Sequence, residues 1–273
     1  MARYTIYGYR DELREKRKKR KIRVAFLIVS SLAVLIAFLS YALFFSGWFL
    51  IRGIQVNGNE EISEEEVKNL TESYLNKTYF LGYIKPFSNI FFASSENIER
   101  SLKKEFPIIE LADVSKVFFS RNLRVEINER EAKGIWCLSG GDKCFYFDQD
   151  GIFFKPSARL SGEVFLAIED GRGRDFDLVG SFDDKELFEK MKSVKSILDD
   201  LKTVSYSNFF LPPGSFEFWI KTKEGWYIYL DKETDIPTQL VALKKFLDEK
   251  LSAARRQTLQ YIDLRVNNRI YYK

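Results

Sequence analysis

Between Arg23 and Arg52 the chain carries no Asp, Glu, Lys or Arg, and Val24 to Phe45 consists of Val, Ala, Leu, Ile and Phe apart from Ser30, Ser31, Ser40 and Tyr41. As a helix rising about 1.5 Å per residue, that stretch extends about 33 Å, enough to cross a hydrocarbon core of about 30 Å. Its Leu, Ile, Val and Phe residues each favour mid-membrane placement by about 0.3 to 0.6 kcal/mol, with no charge opposing them. The serine hydroxyls bond within their own helix and do not argue against a span. A core helix of a soluble protein would show a polar face, and this segment has none.

The flanks set the orientation. Arg14, Lys16, Arg17, Lys18, Lys19, Arg20, Lys21 and Arg23 precede the span, whereas Glu60, Glu61, Glu64, Glu65 and Glu66 follow it. Positive charge stays inside, so the N-terminus is expected in the cytoplasm and 52–273 outside the cell membrane. A cleavable signal peptide is the rival reading, with Ser40-Tyr41-Ala42 as cleavage site. The apolar run exceeds the usual span of about 7 to 15 residues for such peptides, which favours an uncleaved anchor. The expected division is 1–23 basic tail, 24–50 transmembrane helix, 51–130 first outer domain and 131–273 second outer domain. Residues 1–13 hold too little apolar surface to fold alone.

Composition removes several functions. The formal net charge is +4, but the excess lies before Arg23, where it reads as topology signal and contact with anionic membrane lipid, not as nucleic-acid binding. With no histidine and two cysteines, histidine triads, histidine-ligated metals and four-cysteine zinc sites are excluded. No GxxxxGK[ST], GxSxG or GxGxxG motif is present. Glu64 to Glu66 suit a helix N-terminus, and Asp183-Asp184 and Asp199-Asp200 suit an exposed helix face. Asp148-Gln149-Asp150-Gly151 reads as a turn, lacking the further ligands of a calcium loop. The chain is therefore read as a non-enzyme with no cofactor, no metal and no small-molecule substrate.

The outer region alternates short strands and helices. Ile54 and Val56 precede the turn Asn57-Gly58-Asn59. Ser63 and Glu66 form a capping box for a helix burying Val67, Leu70 and Tyr74. Ser94 or Ser95 starts a second helix with Ile98, Leu102 and Phe106 on one face, stopped by Pro107. Strands follow near Ile109 to Phe119 and Leu123 to Asn128, giving a βααββ order typical of a small α+β module. Farther on come a strand at Val164 to Ile168 and a helix capped by Asp183 with Leu187, Phe188, Met191, Val194, Leu198 and Leu201 inward. Strands at Val204 to Leu211, Phe216 to Thr222 and Trp226 to Asp231 precede a helix from Asp235. The closing strands are Tyr261 to Val266 and Arg269 to Tyr272.

A basic tail, one span, "IRGIQVNGNEEISEEEV", a βααββ unit, "EFPIIELADVSKVFFSRNLRVEINEREAKGIW", "YFDQDGIFF" and a closing "LQYIDLRVNNRIYYK" together resemble the FtsQ/DivIB cell-division family. Their order carries the resemblance. It implies an α+β fold with an N-terminal transmembrane helix, a POTRA (polypeptide-transport-associated) domain and a second β-rich α+β domain. It also implies a non-enzymatic scaffold at the division septum that recruits FtsB/DivIC-like and FtsL-like coiled-coil membrane proteins. The sequence departs from the family in having Glu131-Ala132 after Glu129-Arg130, where Pro is usual. The aromatic stretch Thr78 to Ser88 looks like an insertion, read either as extra core or as a hairpin resting on the membrane interface.

Two local features remain. Cys137 and Cys144 lie symmetrically about Gly140-Gly141, so a tight hairpin would set them opposite each other, as a disulfide or as two buried thiols. The terminal strand, in a sequence that stops at Lys273, would present backbone groups to a partner strand. Its candidate partner-binding residues are Arg265, Val266, Arg269, Ile270, Tyr271 and Tyr272. The family resemblance assigns Arg265 an ion pair with the partner, while the residues alone equally allow a pair with Asp263. The rival functions are a POTRA-bearing transport or membrane-assembly factor, and a membrane-anchored envelope enzyme.

Overall fold

In the computed structural model, which describes residues 4–45, 47–79, 85–141, 143–159, 165–173, 177–202, 204–214 and 216–273, the apolar segment is part of one long helix, α1 (Tyr4–Phe45). Within α1, Arg14–Ala42 is long and apolar enough to cross a membrane, and none of its most apolar window is buried against protein. The helix begins well before the apolar stretch, although the tail lacks a core of its own. Extending a helix already nucleated costs far less than starting one, and the stretch just before the apolar segment is rich in Lys and Arg, both good helix formers. Glu15 and Lys19 pair one turn apart at 3.8 Å.

The chain divides into two compact units, Met1–Leu102 with Ala112–Ile127, and Lys103–Leu111 with Asn128–Lys273. The first contains β1 (Gly53–Asn57), α2 (Glu64–Leu75) and most of α3 (Ser95–Glu105), β2 (Ile109–Val117) and β3 (Asn122–Glu129). The sheet order is β1-β3-β2, with β1 parallel to β3 and Gly53 opposite Asn122. Ser63 and Glu66 form the reciprocal capping box of α2. Val67, Thr71, Tyr74 and Leu75 face inward, against a core that includes Ile98, Leu102, Val114, Leu123 and Val125. Leu70 is only partly buried, and Thr71 takes the inner position with its hydroxyl on the Val67 carbonyl, 2.8 Å. In the aromatic insertion, half-buried Phe87 stacks on Tyr74 at 5.1 Å; residues 80–84 of that stretch lie outside the described residues.

Among the described residues, the second unit is built on a nine-stranded sheet. Its strands are β4 (Gly134–Leu138), β5 (Cys144–Phe147), β6 (Phe153–Ser157), β7 (Leu166–Asp170), β8 (Tyr206–Leu211), β9 (Glu217–Thr222), β10 (Tyr227–Asp231), β11 (Tyr261–Asp263) and β12 (Tyr271–Tyr272). They are ordered β12-β11-β10-β9-β8-β7-β4-β5-β6. Helices α4 (Lys185–Leu201) and α5 (Ile236–Lys250) pack together on one face. Strand alternation supplies that face: Phe218, Ile220, Ile228, Leu230 and Ile262 are all fully buried with Leu187, Met191, Val194, Leu240, Leu243 and Leu247. Each such side chain contributes about 1.5 to 3 kcal/mol on burial.

Several boundaries differ from the sequence reading. Asp184, not Asp183, caps α4: its carboxylate accepts the Leu187 N–H at 3.1 Å and binds Lys232 at 2.5 Å. Asp183 instead approaches Arg172 at 3.8 Å. Strand β7 begins at Leu166, and Val164 lies outside the described residues. Strand β8 begins at Tyr206, because Val204 drops into the core. The turn at Asp148 is built by its carboxylate, which accepts the N–H groups of Asp150 and Ile152 at 2.9 Å each and pairs with Arg130.

Candidate functional site

Among the described residues, β12 forms one edge of the nine-stranded sheet. Strand β11 runs parallel to β10, with Tyr227 opposite Tyr261, and β12 returns antiparallel, with Tyr271 opposite Asp263 and Tyr272 opposite Ile262. Both closing strands are shorter than the sequence suggests. After Asp263 the chain is pulled onto the start of α5: Gln239 Nε2 donates to the carbonyls of Leu264, 3.2 Å, and Val266, 2.6 Å, and Asn267 Oδ1 accepts the Asp235 N–H, 3.0 Å. Arg269 N–H closes a turn on the Val266 carbonyl at 3.1 Å, and Asn268 adopts a left-handed φ of 61°, which Asn tolerates better than most residues. Arg269 and Ile270 therefore belong to this turn, not to the strand.

The hydrogen-bond phase of β12 follows from its last residue. Lys273 N–H donates to the Tyr261 carbonyl at 3.2 Å, and the Lys273 carbonyl accepts from Gln260 and Tyr261 at 2.6 and 3.5 Å. Bonded and non-bonded pairs alternate in an antiparallel ladder, so the neighbouring pair Tyr272–Ile262 is non-bonded, and the Tyr272 N–H and C=O point away from β11. Tyr271 and Tyr272 are both largely exposed. The Tyr272 ring rests 5.1 Å from Phe246 of α5, whereas the Tyr271 hydroxyl accepts from Arg269 Nη1 at 3.2 Å. Val266 is exposed; Ile270 packs against the core.

Arg265 is turned onto the face of the sheet opposite the helices. It binds Asp263 through two bonds, Nε to Oδ1 at 2.9 Å and Nη2 to Oδ2 at 2.6 Å, while Nη1 donates to the Glu217 carboxylate. Its guanidinium lies 5.4 Å over the Tyr229 ring, so the side chain ties β11 to β9 across β10. Burial opposes ionisation of Asp263, but the Arg265 guanidinium more than offsets it and holds the carboxyl below its usual range. Burial, helped by Tyr261 and Tyr227, pushes the Tyr229 hydroxyl up.

The six candidate residues thus separate. Tyr271, Tyr272, Arg269 and Val266 gather at the edge, Ile270 turns into the core, and Arg265 joins a carboxylate cluster. Sequence reasoning missed Glu217, Gln239 and Asn267, whose roles depend on sheet register and helix docking. It also missed the aromatic row on the open face: Phe210 to Trp219 at 5.4 Å, Trp219 to Tyr229 at 5.1 Å and Tyr229 to Tyr261 at 5.0 Å. The alternating Trp219, Tyr227, Tyr229 and Tyr261 carried that signal. Beside the row, Arg159, Glu169, Asn208 and Lys221 help line an open cavity of about 550 Å³. Cys137 sits directly opposite Cys144 across β4 and β5, with Cα atoms 4.1 Å apart, and the two are disulfide-bonded. Among the described residues no group of three His, Cys, Asp or Glu could hold a metal ion.

Two comparisons bear on this architecture. Residues 49–130 match the family described as POTRA domain, FtsQ-type. The cell division protein FtsQ of Syntrophotalea carbinolica (strain DSM 2380 / NBRC 103641 / GraBd1) is 28% identical over 176 residues, covering 63% of this chain and 53% of that protein. The similarity therefore spans about half the length of the relative. With a long apolar N-terminal helix, a β-α-α-β region and a large mixed sheet, the chain carries an FtsQ-type POTRA domain at residues 49–130 and is distantly similar to a protein named cell division protein FtsQ.

Proposed function

We propose that this protein is a single-pass membrane scaffold of the division septum, without catalysis of its own, which captures a partner by adding a strand to β12. The tail would lie in the cytoplasm and both folded units outside it. The observation that carries the reading is the outward-facing backbone of Tyr272 at the open edge of a nine-stranded sheet. A partner strand laid there gains main-chain hydrogen bonds, while Tyr271, Arg269 and Val266 supply side-chain contacts. The resemblance to FtsQ/DivIB makes FtsB/DivIC-like and FtsL-like coiled-coil membrane proteins the expected partners. Arg265 would hold the edge in shape through Asp263 and Glu217, leaving its partly exposed guanidinium to meet a partner carboxylate.

Tyr272→Pro tests this directly. Proline removes the outward donor and no donor that the β11 ladder uses, and sheet edges tolerate it. In a pull-down of the full-length chain with its coiled-coil partners, Tyr272→Pro should lose at least about tenfold in affinity, with an unchanged circular-dichroism spectrum. Wild-type affinity in a folded Tyr272→Pro variant would falsify strand addition at this edge.

A further inference from the structure

The span and the first unit are joined almost without a linker. Gly47 follows the end of α1 by two residues, which places its Cα within about 8 Å of the Phe45 Cα. The residues just beyond are fastened to the folded unit from several sides. Ile90 N–H donates to the Phe49 carbonyl and Ile51 N–H to the Ser88 carbonyl, both at 2.9 Å. Arg52 N–H donates to the Arg121 carbonyl at 2.8 Å, and Arg121 Nη1 returns to the carbonyls of Gly47 and Trp48 at 3.2 and 2.8 Å. The turn between β2 and β3 is thereby stapled to the first residues after the span.

That turn is apolar and open. Phe119 is 105% exposed, Trp48 77% and Phe118 54%. Phe91, itself half exposed, bridges the group, 5.1 Å from Phe49 and 5.8 Å from Phe118. Three separate segments thus converge on one aromatic tip, far more than scattered surface apolar residues explain. The register fixes which end of the sheet bears it: Gly53, at the span end of β1, pairs with Asn122 at the start of β3. The cations Arg52, Lys116 and Arg121 belong to this end, whereas the acidic Glu60, Glu61 and Glu64 follow the opposite end of β1.

We propose that this tip is a membrane-docking surface. Its aromatic rings enter the headgroup region of the outer leaflet beside the span, and Lys116 and Arg121 face anionic headgroups. Trp concentrates at that depth, Phe rings on an exposed surface bury into the headgroup–acyl boundary, and basic residues near an anionic surface add electrostatic attraction. Three contacts, at two depths, would then hold the first unit: the span itself, Trp48 and the Phe118-Phe119 turn. The proposal rests on α1 being a span, and its test separates the two.

The full chain, carrying Trp48→Phe to remove the adjacent indole, is reconstituted at one molecule per vesicle in lipid containing phosphatidylglycerol. On this background one variant carries Phe119→Trp, a tip probe, and another carries Leu35→Trp, a mid-helix probe; the Trp48→Phe parent supplies the signal to subtract. Lipids brominated near the headgroup should quench the tip probe at least twofold more than lipids brominated near the bilayer centre, with the reverse order for the mid-helix probe. Lys116→Glu/Arg121→Glu should weaken quenching of the tip probe, as should vesicles of phosphatidylcholine alone. Deep quenching of the mid-helix probe with a water-exposed tip probe overturns the docking surface while leaving the span intact. A mid-helix probe that no brominated lipid quenches overturns the span. Shielding of the tip probe that emerges only at many chains per vesicle assigns the face to a second copy and also overturns the proposal.

Discussion

Replacing Arg265 by Met removes two charge-assisted bonds to Asp263 and one to Glu217 while keeping most of the side-chain volume over Tyr229. The two carboxylates left behind are shielded, their side chains 16% and 20% exposed, so little water can take over the role of the guanidinium. Breaking a fully buried pair costs about 3 to 5 kcal/mol. Arg265 itself is 35% exposed, and solvent screening reduces that figure to about 2 kcal/mol. For a unit of this size, such a loss lowers the melting temperature by about 4 to 8 °C. The full chain in lipid nanodiscs, followed by intrinsic tryptophan fluorescence on heating, measures it. A cycle with Asp263→Asn should return part of the loss, because the second substitution removes one of the stranded charges. An Arg265→Met protein melting within about 1 °C of wild type would show that the cluster does not hold this edge together, and the proposed division of labour between Arg265 and Tyr272 would fail with it.

Further outcomes follow from other parts of the sheet. Reducing the Cys137–Cys144 bridge, whose ends are seven residues apart, should cost about 2.5 kcal/mol by loop-closure entropy; wild-type melting with and without reductant checks this, and equal midpoints would rule it out. Asp263 is held below its usual pKa, so the stability it contributes is complete above the unfolded value of about 3.9 and drains away as pH falls through the folded value. Asp263→Asn should therefore flatten the acid limb of a melting-temperature profile and leave its slope between about pH 5 and 8 unchanged; an acid limb as steep as in wild type would contradict the assignment.

What the sequence shows well is what depends on near neighbours. The apolar run before Phe45 is a matter of composition, and the Ser63–Glu66 capping box involves residues three apart, so both are visible without a fold. The capping of α4 is not decided locally: Asp183 and Asp184 are chemically equal until Lys232, far along the chain, selects the second. Arg265 shows the same limit, since its family-like motif is legible but its bond to Glu217 exists only once β9, β10 and β11 are in register. The closing strands read as longer than they are because alternation in Arg269 to Tyr272 looks extended. Nothing nearby reveals that Gln239 and Asp235 bend the preceding residues onto a helix. The aromatic tip was hidden for a similar reason. Phe80 to Phe87 is dense and attracts notice, whereas Trp48, Phe91 and Phe119 stand in three ordinary segments and become a surface only when folding leaves them outside.

The brevity of β12 has a cost and a use. An exposed sheet edge invites any extended chain, including another copy of itself. At its far side the sheet is blunted by Pro156 in β6 and by an irregularity in the β5–β6 register. At the near side the described residues of β12 are Tyr271–Tyr272, a stretch over which backbone pairing alone gives an unselected peptide little. On the proposed reading, a guest would have to supplement that short ladder with side chains fitted to Tyr271, Arg269 and Val266, so the same edge that resists indiscriminate pairing would select a matching partner.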